Sequence, residues 1–135
     1  MVNKYILDAC ALIAFMKREL GFEIVRNILI DASDHKTSVY MNKLNLLEVF
    51  YGIRRAEGLA QAENVYNKVS RLPIAIIDGI SDDVFLEASR IKSMYKMSLA
   101  ESIALGEASV MGASLITLDH HEFDTVKKNE GISFI

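Results

Sequence analysis

The chain has a single cysteine and a single proline, no excess of positive charge and no long hydrophobic run. One cysteine, Cys10, cannot close an internal disulfide, which fits a reducing compartment such as the cytoplasm. The longest unbroken apolar stretch covers residues 9–16, far short of the ~20 residues that span a bilayer. The start, Met1-Val2-Asn3-Lys4, leads to only Tyr5-Ile6-Leu7 before an acid, so no secretory leader is visible. With 15 basic residues against 18 acidic ones the net charge is -3, and the global positive field of many nucleic-acid binders is missing. A polyanionic ligand would need a local basic patch, a metal ion or a partner. Repeats, low-complexity segments and linkers are also absent.

What remains is enough for one packed unit. At 135 residues and 51% hydrophobic content, the chain is expected to fold as a single domain over residues 1–135. Short strand-like runs alternate with longer helical ones. Strands are expected at residues 4–7, 36–40, 74–77, 114–117 and 132–134, the third and fourth reading as strands covered on both faces. Helices are expected near 9–18, 21–32, 43–56, 59–70, 81–94 and 99–111. Val65, Val69 and Leu72 continue the phase of Ala62, while Val84, Phe85, Ala88 and Ile91 form an apolar stripe. Ser81 before Asp82-Asp83 is a helix start, and Gly112 stands where a left-handed residue closes a helix. This alternation predicts an α/β fold of three layers, a central mostly parallel sheet of four to five strands flanked by helices.

Four acids fall where such a sheet gathers its chemistry, outside the carboxyl ends of its strands. Asp8 ends the first strand and Asp119 follows Leu115-Ile116-Thr117-Leu118. Glu48 interrupts the apolar run Leu46-Leu47-Glu48-Val49-Phe50, and Glu101 sits in the first turn after Ser98. Each has a plainer reading. Asp8 suits a helix N-cap, Asp119 with Glu122 forms a capping pattern, and Ser98 with Glu101 matches the capping box. Capping does not explain Glu48, whose helical neighbours Leu44, Tyr51, Gly52 and Arg55 leave it solvated or at the core margin. Clustered carboxylates raise one another's pKa unless a cation sits among them. Oxygen ligands without a Cys/His set select Mg²⁺ or Mn²⁺, ions that activate water and stabilise a phosphodiester under attack.

The pieces Ile6-Leu7-Asp8-Ala9-Cys10-Ala11-Leu12-Ile13, Leu46-Leu47-Glu48-Val49, Leu99-Ala100-Glu101-Ser102-Ile103-Ala104 and Leu115-Ile116-Thr117-Leu118-Asp119 together resemble the PIN-domain nucleases. Within that family the chain is most similar to the VapC-type toxins of toxin–antitoxin pairs. The resemblance covers nearly the whole chain in order; each piece is weak alone and the ordered set is specific. It implies a metal-dependent endoribonuclease with Asp8, Glu48, Glu101 and Asp119 at the family's acidic positions and Thr117 at the polar position before the last acid. Asp8 and Asp119 would be the principal ligands of Mg²⁺ or Mn²⁺ and Glu101 a further one. Glu48 would act through water, and a metal-activated water would attack in line. It also implies homodimers restrained by a small antitoxin whose tail fills the acidic pocket. Two positions depart from the family. Glu101 is one methylene longer than the usual aspartate, and Cys10 replaces a small hydroxyl or amide residue. Neither change removes a charge, so activity is expected to survive.

The remaining polar residues have plain readings beside functional ones. His120-His121 are adjacent, point apart on a helix and make poor joint ligands, so RNA or solvent contact is expected. Cys10 reads as a small buried hydrophobe. Basic pairs at Lys17-Arg18, Lys92 with Lys96, and Lys127-Lys128 read as solvated helix ends. Arg54 and Arg55, about two turns past Glu48, are the best candidates to touch RNA phosphates, and Thr117 is a further candidate for RNA contact. Phe50, Tyr51 and Ile53 are candidates for a dimer or partner surface, and the methionines read as core or interface filler. A phosphate-accepting receiver domain would want an acidic pair near Asp8 and a lysine after a late strand. A haloacid-type phosphatase would want a second acid where Cys10 stands. Two alternatives stay open: a PIN-like domain that binds RNA or a partner without cutting, and an RNA-processing nuclease outside a toxin–antitoxin pair.

Overall fold

A computed structural model describes residues 2–118, 125–126, 129–132 and 134–135. Their order is β1 (Asn3–Leu7), α1 (Ala9–Met16), α2 (Phe22–Ser33), β2 (Thr37–Asn42), α3 (Lys43–Glu57), α4 (Leu59–Val69), β3 (Ala75–Ile77), α5 (Asp82–Met94), α6 (Leu99–Met111) and β4 (Ser114–Ile116). The strands form a four-stranded sheet in the order β3-β2-β1-β4, with every described pairing parallel. Of the expected fifth strand at 132–134, Phe134 makes an isolated parallel bridge to Leu115, and Ser133 lies outside the described residues.

Alternation along β1 divides the core. Leu7 joins Val39, Met41 and Ile116 beneath α1–α4, whereas Ile6 joins Leu115 beneath α5 and α6. The result is three layers, as the alternating pattern predicts. Helix α6 lies so deep that Ala100 and the whole stretch 102–108 are buried. It packs on α5 through Gly106, where an added Cβ would come within 3.2 Å of the Ala88 Cβ and backbone N and 3.3 Å of the Val84 carbonyl. Gly106→Val should therefore destabilise the fold by about 2 kcal/mol in denaturant unfolding, because the backbone of α5 must shift to admit it. Glu130 accepts from Arg90 and from the Tyr95 hydroxyl (2.7 Å), which ties the C-terminal segment to α5. Among the described residues no helix is long and apolar enough to cross a membrane.

Four details differ from the sequence-based expectation. β3 is an edge strand with Ala75 exposed, so it is not covered on both faces. Phe85 is 63% exposed: the buried stripe of α5 is Val84, Ala88 and Ile91, narrower than the run of apolar residues. Cys10 is exposed, because the second position of α1 looks outward while Ala11, Leu12 and Ala14 face the core. Ile53 is buried in the core and unavailable to a partner, although Tyr51 stays 51% exposed.

Candidate active site

Strand order supplies the site's location. The chain moves outward from β1 to β2 to β3 and then returns to place β4 on the other side of β1. The order reverses between β1 and β4, and the crevice at their carboxyl ends is where open α/β sheets bind ligands. Leu7 and Ile116 are register partners at this edge, so Asp8 and Thr117 follow side by side. The Asp8 backbone N–H donates to the Ile116 carbonyl (3.3 Å), which closes the edge above the last pair.

Asp8 is buried and caps α1, its Oδ1 accepting from the Ala11 N–H at 2.8 Å. The capping reading of this residue is therefore realised. It occupies one carboxylate oxygen while placing the group at the switch point. Glu101 likewise completes its capping box with Ser98: the Glu101 N–H donates to Ser98 Oγ at 3.1 Å, and the Ser98 N–H donates to Glu101 Oε2 at 3.2 Å. Glu48 is half-buried on α3. Burial raises its pKa above the ordinary carboxylate value, and the nearby negative charge of Glu101 raises it further. Thr117 is buried beside Asp8. Asp119, His120, His121, Glu122, Lys127 and Lys128 lie outside the described residues.

The structure therefore brings Glu101 near enough to Glu48 to raise its pKa, and separately sets Asp8 beside Thr117 at the β1/β4 edge. Among the described residues no group of three or more His, Cys, Asp and Glu side chains is drawn close enough to hold a metal ion. What is present fits a hard divalent cation in chemical kind: the donors are carboxylate oxygens, and the negative charge of Glu101 acting on Glu48 is what a cation would relieve.

Of the basic residues, Lys17 pairs with Glu57 at 3.3 Å and Lys92 donates to the Met97 carbonyl at 2.9 Å. Arg54 and Arg55, in the last turn of α3, are exposed and form no ion pair among the described residues. Outside this edge, a cleft of about 440 Å³ runs between α3 and α4, lined by Leu46, Leu47, Phe50 and Tyr66 with Lys43 and Glu63 at its margins.

Sequence reasoning missed three buried polar residues, Asn42, Asn45 and Glu107. Asn42 caps α3 with Oδ1 (Leu44 N–H, 2.9 Å), and its Nδ2 donates to the Gly79 carbonyl (3.1 Å) and to Glu107 Oε2 (3.0 Å). Asn45 donates to the Ala100 carbonyl at 3.1 Å. Glu107, 1% exposed, has no partner for Oε1 among the described residues, and burial raises its pKa against the opposing pull of the Asn42 bond. One signal for two of them was available: Asn42, Asn45 and Glu48 recur at three-residue spacing across the start of α3.

Comparison with known proteins agrees with this architecture. The PIN domain family model matches residues 5–129. The chain belongs to the PIN domain family. Its fold is shared with VapBC2 from Rickettsia felis, solved on a DNA fragment from its promoter, at a TM-score of 0.76 and 14% identity, covering 98% of this chain and 97% of that one. DNA-bound VapBC from Salmonella typhimurium aligns at a TM-score of 0.74 and 18% identity, over 100% of this chain and 98% of that one. VapC20 from Mycobacterium tuberculosis, described as a toxin cleaving the sarcin–ricin loop, aligns at 0.68 and 10% identity, over 90% and 94% of the two chains. At these identities the likeness is one of fold. Among curated proteins no sequence matches.

Proposed function

We propose that this PIN domain is a divalent-cation-dependent endoribonuclease, the toxin of a toxin–antitoxin pair, acting as one domain over residues 1–135 in the cytoplasm. The observation that supports the reading is the pairing of Glu48 with Glu101 in a chain whose Asp8 ends β1 at the β1/β4 switch point. Asp8 stands on the edge, and α3 and α6 bring Glu48 and Glu101 close enough to repel. Asp8, Glu48, Glu101 and Asp119 are the residues that would hold Mg²⁺ or Mn²⁺. Such a cation supplies Lewis acidity at that place, making water a better nucleophile and neutralising charge on the phosphodiester. Glu48, with its raised pKa, is suited to orient that water and exchange its proton. Arg54 and Arg55 are free to meet RNA phosphates. Thr117 would support Asp8 beside it. The apolar cleft between α3 and α4 supports a small antitoxin as partner, and exposed Tyr51 supports a homodimer or partner contact.

Pure protein incubated with single-stranded RNA and Mn²⁺ should cut it internally, stop on chelation and resume when Mn²⁺ is returned. Cleavage that survives complete chelation would refute the reading. A second reading, an RNA- or partner-binding PIN domain without catalysis, is favoured by one observation: the Glu101 carboxylate is engaged in its capping box. Glu101→Gln separates the two. The amide keeps the box, so a nuclease should lose at least tenfold in rate, whereas a binding domain should retain its RNA affinity. Gel-based cleavage and filter-binding assays on the same preparations read both.

A further inference from the structure

We infer that Asn45 is a positioning residue, whose hydrogen bond to the Ala100 carbonyl sets the separation of Glu48 and Glu101. The inference rests on the nuclease reading above and concerns what holds its acid pair in place. Helices α3 and α6 reach the site by separate routes, one following β2 and the other preceding β4. Nothing in the chain connectivity fixes their spacing. Asn45 is 1% exposed, and a buried amide without a partner would cost stability, so its side chain is committed to the bond it makes. That bond, Nδ2 to the Ala100 carbonyl at 3.1 Å, begins one turn before Glu48 and ends one residue before Glu101.

The start of α3 is fixed independently. Asn42 caps the helix with its oxygen and anchors to Gly79 and Glu107 with its nitrogen, leaving little freedom for α3 to rotate. The Asn42–Glu107 bond ties this end of α3 to the middle of α6, and Asn45 sets its approach to the first turn of α6, where Glu101 lies. Two carboxylates repel when no cation lies between them, so without a clamp the helices would relax apart and the pair would have to be reassembled on each binding event. The clamp is neutral: it adds no charge to the pocket and spends no ligand oxygen. Outer residues that orient ligands in this way typically change metal affinity by ~10–100-fold when removed.

The test uses Asn45→Leu, close in volume but without a donor, with Asn45→Ser carried alongside in case leucine packs badly. Calorimetric titration with Mn²⁺, without RNA and well below each melting temperature, compares both with wild type. The expected result is Mn²⁺ binding weakened at least tenfold in a variant whose circular dichroism is unchanged. Cleavage should be restored by excess Mn²⁺ with no change in KM for RNA. A residue that merely holds the fold would shift the melting temperature and leave cation affinity alone. Wild-type affinity in folded variants would overturn the clamp and leave the nuclease reading standing. Failure of the wild type itself to bind Mn²⁺ would overturn both.

Discussion

Asp8→Asn should remove metal-dependent RNA cleavage while leaving the melting temperature within a few degrees of wild type. The two halves of this expectation have separate causes. Oδ1 of Asp8 accepts from the Ala11 N–H at 2.8 Å, and asparagine, which ranks with aspartate as an N-cap, presents an oxygen in the same place. Within the cap itself, the stability cost is the interaction of the lost charge with the N-terminus of α1, about 0.3–1 kcal/mol. The proposed cation site instead loses a formal charge and a ligand at the switch point. The loss in rate should exceed the ~10–100-fold that outer-shell partners cost. Thermal unfolding and initial cleavage rates on one preparation check both halves. A large fall in melting temperature together with lost activity would reduce Asp8 to a structural cap.

Asn42→Ala should be the most destabilising substitution among the buried polar residues Asn42, Asn45 and Glu107, lowering stability by about 2–4 kcal/mol. It removes the cap of α3, worth ~1 kcal/mol, and strands a buried carboxyl, at ~1–3 kcal/mol. The effect should depend on pH. Burial holds the pKa of Glu107 above its ordinary value, so its neutral form is favoured in the folded state, and the bond from Asn42 only partly offsets this. A group of this kind contributes stability that is fully present below its unfolded pKa and lost as pH rises through the raised folded value. Without Asn42 the folded pKa moves higher still. The deficit of the variant should therefore be larger at neutral pH than in acid below the ordinary carboxylate pKa, where Glu107 is protonated whether folded or unfolded. Glu107→Gln should narrow that pH dependence, because its amide cannot ionise. Denaturant unfolding across this range, with a flat deficit for Asn42→Ala, would contradict the assignment of Glu107 as the titrating group.

What could be read from the chain was whatever depends on near neighbours. Asp8 stands at a strand-to-helix boundary only one residue wide, and Ser98 lies three residues before Glu101, so both caps follow from local spacing. The layer order followed from alternation, because parallel strands need helical crossovers. What escaped depends on distant partners. Asn42 meets residues 37 and 65 positions away, and Asn45 one 55 positions away, distances at which no periodicity carries information. Ile76 and Ile77 are as apolar in an edge strand as they would be in a central one, so composition could not show that β3 is the sheet's margin. Phe85 misled for a related reason: a stripe is defined by what packs on it, and α6 covers only the Val84, Ala88 and Ile91 side.

The most direct test is cleavage of a defined RNA in ¹⁸O-water with Mn²⁺, by wild type and Asp8→Asn purified side by side. Hydrolysis by water at the acidic pocket predicts ¹⁸O in the phosphate ends of the wild-type products and no product from the variant. Equal product from both proteins, or unlabelled 2′,3′-cyclic phosphate ends, would contradict it.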